Sequence, residues 1–483
     1  MQINKPELAD KVDGWDHNML ELQINSNGIV QGVYDEKMKK HQPVRVHRKN
    51  LMYEIPSLSG PDVDFLRPEL AQGIFVNFKL VQQFLKKSLP MGIAQVGKSF
   101  RKEISPTPFT RMREFNQAEI EYFVDDKDKS HPNFSMVETY EIPILSAKMQ
   151  VTGDKPIMIS IGKAVETNII SHQTMGYWLA RIHQFAIKIG LNPGKIRFRQ
   201  HLSNEMAHYA SECWDLETRV LDSWLECVGC ADRGNYDLTS HGKNKLTAKR
   251  LLDKPIIETK LVYKLNKSTI SNKYKDLTMG IVNYFNNLDD VELKKLHKNF
   301  ADGKGFIYIY IGDSLCTITN DMIEFDNEEI RTEYEEFIPH VVEPSFGIDR
   351  LLYSVFEHSF YIRPQDAKRG VLGLPTLLTP YDVSVLQLHN KDELKVIATY
   401  IKNLLKDNNF SIYTDNSGVA IGRKYVRQDE IGVKFAITID PGSLEDNMVT
   451  VRERDSMKQI RVPIASIITV LKNIDNHFDN LDK

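Results

Sequence analysis

The structural patterning of this chain breaks off and resumes twice, and that discontinuity limits its fold more than any composition figure. Residues 65–124 are dense in apolar positions: a Pro-initiated, helix-like segment at 68–85, a strand-like stretch at 93–96, then alternation through 113–124. The order reads helix, strand, turn, strand. The pattern resumes at 196–241, with strand candidates at 196–198 and 224–229 around a helix on which Met206, Tyr209, Ala210 and Cys213 fall at helical spacing. It resumes again at 337–361 as a strand followed by a helix, with Gly347 as the soft point between them. The intervening 243–335 is rich in Lys, Asn and Asp, carries amphipathic pieces such as 277–285, and reads as an insertion between two parts of one sheet.

After a Gly/Pro/Thr-punctuated linker at 372–380 the character changes. Strand candidates at 383–388, 410–413, 435–439 and 448–451 alternate with helix candidates at 392–405, 417–431 and 464–478. Such alternation indicates a separate α/β domain over 380–483. Residues 1–60 are polar, with a basic run at 41–49, and say least. Taken together, the segments describe an α+β protein with its main domain over 61–371, as expected for 483 residues at about 100–200 per domain.

With 62 Lys plus Arg against 65 Asp plus Glu, the net charge of -3 excludes a protein that wraps nucleic acid by overall charge, so RNA contact needs a local basic patch. The four cysteines, Cys213, Cys227, Cys230 and Cys316, are too few for a disulfide framework and point to a reducing compartment. Cys227 and Cys230 form one C-x-x-C, but no second Cys or His pair follows at zinc-site spacing, so buried thiols are expected. The N-terminus lacks the apolar core of a signal peptide and no apolar run reaches membrane-span length, which places the chain in the cytoplasm.

Four clusters carry candidate chemistry. Ser99-Phe100-Arg101-Lys102-Glu103 closes one strand candidate and Arg111-Met112-Arg113-Glu114-Phe115 opens the next, with Pro106 and Pro108 between them. Arg and Glu at i, i+2 on a strand share a face, where a held guanidinium binds phosphate through two bonds. Taken alone, such a pair is more often a surface ion pair. In Glu343-Pro344-Ser345-Phe346-Gly347-Ile348-Asp349-Arg350, an Arg in the first turn of a helix has the wrong sign for the helix dipole and suggests an anionic partner; a solvated Arg is the plain alternative. Glu226 to Leu238 sets an acid within an apolar strand, and a buried carboxylate there needs a cation or donors. Leu66 to Gly73 enters a helix with Glu69 in its first turn, a position that helix capping alone would explain.

Each signal is weak separately, but their order is specific. L-R-P-E-L-A-Q-G-I-F, S-F-R-K-E-I-S-P, R-M-R-E-F-N-Q-A-E-I-E-Y-F, R-F-R-Q-H-L-S-N-E-M-A-H-Y-A, G-C-A-D-R-G-N-Y-D-L and E-P-S-F-G-I-D-R resemble the glycyl-tRNA synthetases of the eukaryotic and archaeal type. The resemblance covers 65–127, 196–241 and 337–361, and continues at 421–433 and 451–461. It implies a class II catalytic domain, an antiparallel sheet flanked by helices, followed by an α/β anticodon-binding domain. It implies that Arg101 holds the α-phosphate of ATP, that Lys102 and Glu103 line the adenine side, that Phe115 stacks on the base beside Met112, and that Arg111 and Arg350 hold the triphosphate tail. Glu226, next to Cys227, would share Mg²⁺ with the phosphates. Glu69, Glu119 and Glu343, with Pro344 and Ser345, would line an acidic pocket that attracts the glycine ammonium and leaves little room beside Cα. In the last domain Arg423, Lys424, Arg427, Arg452, Arg454 and Arg461 would meet tRNA(Gly), unless they pair with nearby acids such as Asp429 and Asp455.

Three departures from the family pattern stand out: Leu70 where Thr is usual, Lys102 where Asn is usual, and no recognisable motif 1, of which Pro6-Glu7 is the only candidate remnant. Motif 1 builds the homodimer of this family, so the chain is expected to dimerise poorly or to need a partner segment. Met19, Leu20, Leu22 and Ile24 suffice for one strand there. Two rivals remain: a non-catalytic relative, such as the synthetase-like accessory subunit of mitochondrial DNA polymerase, and a threonyl or prolyl class II enzyme. The intact Arg101, Glu103, Arg350 and acidic pocket speak against the first, and the E-P-S and A-E-I-E acids against the second.

Overall fold

The computed structural model describes residues 22–24, 30–35, 40–42, 52–57, 63–207, 209–241, 246–364 and 366–473. Pro6-Glu7, Met19, Leu20, most of the basic run and the helix candidate beyond 473 lie outside the described residues. Near the N-terminus Leu22–Ile24, Val30–Asp35 and Lys40–Gln42 pair as a small antiparallel sheet. Contacts divide the chain into two compact units, Thr247–Phe337 and the remainder.

The first unit is built on an eight-stranded sheet. Its strands are β1 (Met91–Phe100), β2 (Glu114–Val124), β3 (Glu141–Leu145), β4 (Ile157–Ser160), β5 (Ile196–Gln200), β6 (Glu212–Val220), β7 (Ser223–Gly234) and β8 (His340–Gly347). Their spatial order is β1-β2-β8-β7-β6-β5-β3-β4, antiparallel except where β5 runs parallel to β3. β8 enters between β2 and β7, which sets Ser345 against both Glu119 and Gly229. Segments more than two hundred residues apart in sequence thereby share one row of the sheet.

Three helices flank it: α1 (Ala71–Leu85), α2 (Gln173–Lys188) and α3 (Ile348–Ser359). α2 buries Met175, Leu179, Ile182 and Ala186, spaced for one helical stripe, against Ile142, Ile144, Phe198, Trp214 and Val342 of the sheet. Truncating one such core residue to Ala costs about 2–5 kcal/mol. The ring of His172 caps the helix by accepting from the Met175 N–H, and its other nitrogen meets Asp232 at 3.1 Å.

Sequence and structure differ at four places. Met206, Tyr209, Ala210 and Cys213 are not on a helix: the Ser211 N–H donates to the Asp232 carbonyl, and Cys213 lies on β6, whose inward positions hold Trp214 and Leu216. Sheet pairing outweighs the weak local helical spacing. Arg101 and Glu103 lie beyond the end of β1, in the loop that Pro106 and Pro108 keep out of the ladder. Glu69 precedes α1, which has no acid in its first turn. Glu226 is exposed rather than buried, with 54% of its side chain open to solvent.

The C-terminal part of the same unit has strands β9 (Val383–Gln387), β10 (Ile412–Asp415), β11 (Phe435–Ile439), β12 (Met448–Glu453) and β13 (Gln459–Pro463) in the order β10-β9-β11-β12-β13. Helices α4 (Asp392–Asp407), α5 (Ile421–Glu430) and α6 (Ile467–Lys472) accompany them. Val383, Val385, Phe435, Ile437 and Ile439 pack with Leu394, Ile401 and Leu405 of α4 in a core of their own. All five residues of β11 are buried, four of them apolar and the fifth Thr438, as a strand covered on both faces requires.

The second unit has a two-stranded ribbon, Ala248–Leu265 with Ile323–Phe337, three helices and the hairpin Phe306–Ile311 with Ser314–Thr319. Ile270, Ile281, Phe285, Phe300, Ile309 and Ile318 form its core. Its helix Asp290–Asp302 begins with a complete capping box from Asp289 and Glu292.

Candidate functional site

The loop between β1 and β2 is tied down at both ends. The Arg101 N–H donates to the Arg113 carbonyl at 2.9 Å, and Thr107 and Arg111 form an isolated bridge near its tip. Inside it, Arg111 Nε donates to Glu103 Oε2 at 2.9 Å and Arg113 Nε donates to the Glu103 carbonyl at 2.9 Å. Glu103 is therefore committed to shaping the loop as well as facing the cleft. Arg101 is exposed, with its guanidinium 5.5 Å from the centre of the Phe115 ring. Lys102 is exposed beside it.

Opposite this loop stand β7 and the start of α3. Arg350 Nε donates to the Thr110 carbonyl at 2.7 Å and its Nη1 donates to the Glu226 carbonyl at 2.9 Å, while the Glu226 carboxylate lies 3.6 Å away. Asp349 accepts from the Asn116 N–H at 2.6 Å and from its amide at 3.0 Å, which fixes α3 to β2. The result is a cleft lined by Arg101, Glu103, Arg111, Met112, Phe115, Glu226, Cys227, Ser345 and Arg350, among others. Cys227 forms an apolar part of its wall, buried against Thr218 and Ser354. A flat aromatic, two apolar residues and three guanidiniums around one cleft suit a ligand with a flat base at one end and several negative charges at the other.

Next to the cleft lies a buried, acid-rich pocket. Glu119 accepts from the Leu70 N–H at 2.7 Å, from the Gln117 amide, and from Ser345 Oγ at 3.1 Å. Gln117 is held in turn by Ser99 at 2.9 Å. Pro344 lies between Glu343 and Ser345 on β8 and pairs with Cys230. Glu343 takes Arg233 Nη1 at 2.7 Å, and the same guanidinium makes a two-bond fork to Asp237 at 2.8 and 2.9 Å, stacked 4.0 Å over the Tyr209 ring. Glu69 stands 3.8 Å from Arg233. Burial raises the Glu119 acid above its ordinary range, with the Glu69 charge adding to the effect, and burial pushes Glu343 up to about 7 against the pull of Arg233. A pocket whose carboxyls resist ionisation gains most when a cation enters it.

Residues 382–474 match the family model described as an anticodon binding domain. The mitochondrial glycine–tRNA ligase 1 of Saccharomyces cerevisiae is 39% identical over 97% of this chain and 68% of its own length. The glycine–tRNA ligase of Methanocaldococcus jannaschii is 41% identical over 95% of this chain and 82% of its own. The chain belongs to the glycine–tRNA ligase family. A prolyl-tRNA synthetase of Cryptosporidium parvum, solved with L-proline and AMP, is 14% identical and matches 88% of this chain and 65% of its own, at a TM-score of 0.46. The fold couples an eight-stranded, mostly antiparallel sheet to a C-terminal domain of the anticodon-binding type.

The basic residues of that last domain can meet RNA only where solvent reaches them, and here the sequence expectation needs correction. Lys424 is buried on the carbonyls of Gln387 and Asp415. Arg452 forks onto buried Asp429, and Arg454 spends its guanidinium on Asp455 and the carbonyls of Gly432 and Leu374. These three brace the domain and are closed to RNA. Arg461 is held between Asp440 and Asp446, and Arg427 is partly exposed on Asp415, whereas Arg423 stands open on α5.

Sequence reasoning missed Arg233, Asp237 and Glu121. The A-E-I-E alternation held the signal for Glu121, because i, i+2 on β2 places it on the face of Glu119. The i, i+4 spacing of Arg233 and Asp237 is the only local signal for that pair, and the bond from Arg233 to Glu343 appears only when β7 meets β8. Among the described residues no helix is long and apolar enough to cross a membrane, and all four cysteines are free.

Proposed function

We propose that this cleft and its acidic pocket are where glycine is activated with ATP and then passed to the 3′ end of tRNA(Gly). The carrying observation is the adjacency of two sites: a guanidinium-lined cleft, and a carboxyl pocket joined to it through Ser345 and Gln117. The glycine ammonium enters among Glu69, Glu119 and Glu343, which leaves its carboxylate facing the cleft. The carboxylate oxygen attacks the α-phosphorus of ATP, the bond to the bridging oxygen breaks, and pyrophosphate leaves, giving glycyl-adenylate. Arg101 balances the charge that develops on the α-phosphoryl oxygens, and Arg111 and Arg350 hold the departing pyrophosphate. In the second step the terminal ribose hydroxyl of tRNA attacks the glycyl carbonyl and AMP leaves.

Glu226 fits a Mg²⁺ role: its carboxylate is exposed at the cleft wall beside Arg350, a hard oxygen ligand next to where phosphates would lie. When bound, the ion would neutralise phosphate charge. Selection of glycine follows from crowding around Cα rather than from recognising an extra methylene, which alone supplies about 1–3 kcal/mol. We assign catalysis to 61–371, interrupted by the insertion at 243–335, and the anticodon contact to 380–483, through Arg423, Arg427 and Arg461. The free cysteines support a reducing compartment, for which we take the cytoplasm. ATP–pyrophosphate exchange with each of the twenty amino acids tests the reading: glycine alone is expected to support it, and alanine or serine exchange near the glycine rate refutes it. Weak dimerisation of the chain alone is read from the sequence of residues 1–60, of which only short stretches are described; sedimentation at micromolar concentration with an exchange assay on the same sample tests it, and a tight, active homodimer refutes it.

A further inference from the structure

Beneath the glycine subsite lies a carboxyl group that the reaction above does not use. Glu121 is 0% exposed, and neither of its oxygens has a hydrogen-bond partner among the described residues. It sits two residues along β2 from Glu119, on the same face, and its carboxyl oxygen, that of Glu119 and that of Glu343 all lie within 4.8 Å of one another. The other charged groups facing it are Arg233 from β7 and Asp237 from the short helix Tyr236–Ser240. Like charges so placed on paired strands repel, and water does not screen them here.

The donors are unevenly shared. Glu119 has a backbone N–H, an amide and a hydroxyl, and Glu343 has a guanidinium nitrogen. Arg233 commits two further bonds to Asp237. Among the described residues Glu121 has no donor, so an ionised Glu121 would be a buried charge without a hydrogen bond to hold it, the costliest of the three placements. As a neutral acid it becomes a donor, and its O–H can supply an acceptor oxygen of Glu119 or Glu343.

We propose that Glu121 is a positioning residue that holds a proton beneath the glycine subsite, so that Glu119 and Glu343 keep their charges for the ammonium. This rests on the glycine reading of the pocket. Burial first, and then the Glu343 charge, push the Glu121 acid well above its ordinary range, in the direction the geometry requires. The pocket then presents two directed carboxylates above a neutral floor.

The test compares Glu121→Gln with Glu121→Ala in glycine-dependent exchange from about pH 6 to 9. Gln keeps the shape and neutrality of the acid form, so its KM for glycine is expected to stay within about threefold of wild type near neutral pH and to rise less steeply toward alkaline pH. Ala is expected to raise the KM for glycine at least about tenfold with the KM for ATP unchanged. A Gln variant as impaired as Ala, or one whose pH profile superposes on wild type, overturns the proposal. Infrared spectra of the wild type near pH 8 offer a second readout that needs no variant: a protonated carboxyl band is expected, and its absence overturns the assignment. Failure of the wild type to exchange with glycine would instead refute the functional reading while leaving that band in place.

Discussion

Arg233→Met tests whether the acidic pocket is organised by one buried guanidinium. The side chain is 2% exposed and makes three charge-assisted bonds, two to Asp237 and one to Glu343, while stacking on Tyr209. Removing one member of a buried ionic network typically costs about 3–5 kcal/mol, because the partner charges stay behind. Loss of the ring contact adds about 1 kcal/mol. A fall of about 4–6 kcal/mol in unfolding free energy is therefore expected, read as a lower urea midpoint for the catalytic domain. Glycine binding suffers as well, since Glu343 without Arg233 takes up a proton and ceases to attract the ammonium. Combining Arg233→Met with Asp237→Leu removes the fork from both sides, so stability should recover in part while the KM for glycine stays high. A single variant within about 1 kcal/mol of wild type, or a double variant no more stable than the single, would refute the network argument.

Three other expectations follow from the same geometry. Arg101→Ala should leave the fold intact, because the side chain is exposed, and slow exchange by about a hundred- to a thousandfold; an unchanged rate in the folded variant would remove Arg101 from the chemistry. His131 and His183 are both 6% exposed, and burial holds each at about 4 rather than 6.5. The unfolded chain thus binds more protons between these values, so their contribution to stability is complete above about pH 6.5 and is lost as pH falls toward 4; urea midpoints for His183→Gln should fall less over that window, and an equal fall would exclude the residue as a cause. Finally, Arg423→Glu should raise the tRNA concentration needed for charging while sparing glycine exchange, and equal charging by variant and wild type would remove Arg423 from the RNA contact.

Most of the sheet could be read from sequence because its strands carry their own pattern. Residues 113–124 alternate, and β2 occupies Glu114–Val124; the break at Gly347 is where β8 gives way to α3. The helical spacing of Met206 to Cys213 misled because four residues make too short a window, and pairing of β6 with β5 and β7 decided that segment. Such partners are remote in sequence. Arg101 and Glu103 illustrate a milder failure: the pairing expected on a strand face is realised in a loop, where Glu103 binds Arg111 instead.

The same limit governs charge. Residue type states that Arg452, Arg454 and Lys424 are basic, but the work done by a cation depends on which oxygens surround it and whether water can reach it. Arg363, from the hairpin strand Phe360–Arg363, donates to Asp429 at 2.8 Å and to the Arg454 carbonyl at 2.7 Å, while Arg454 donates to the Leu374 carbonyl at 3.0 Å. Arg363 and Arg454 thus tie the segment 360–374 to the C-terminal domain, while Lys424 and Arg452 bond only within that domain, so half of the basic cluster that reads as an RNA surface is internal bracing. Deleting residues 380–483 would strip Arg363 of Asp429 and leave its charge buried or newly exposed beside an apolar face, confounding any loss of tRNA binding with damage to the catalytic domain. A charge reversal at exposed Arg423 avoids that confusion, which is why the anticodon contact is better tested by a surface substitution than by truncation.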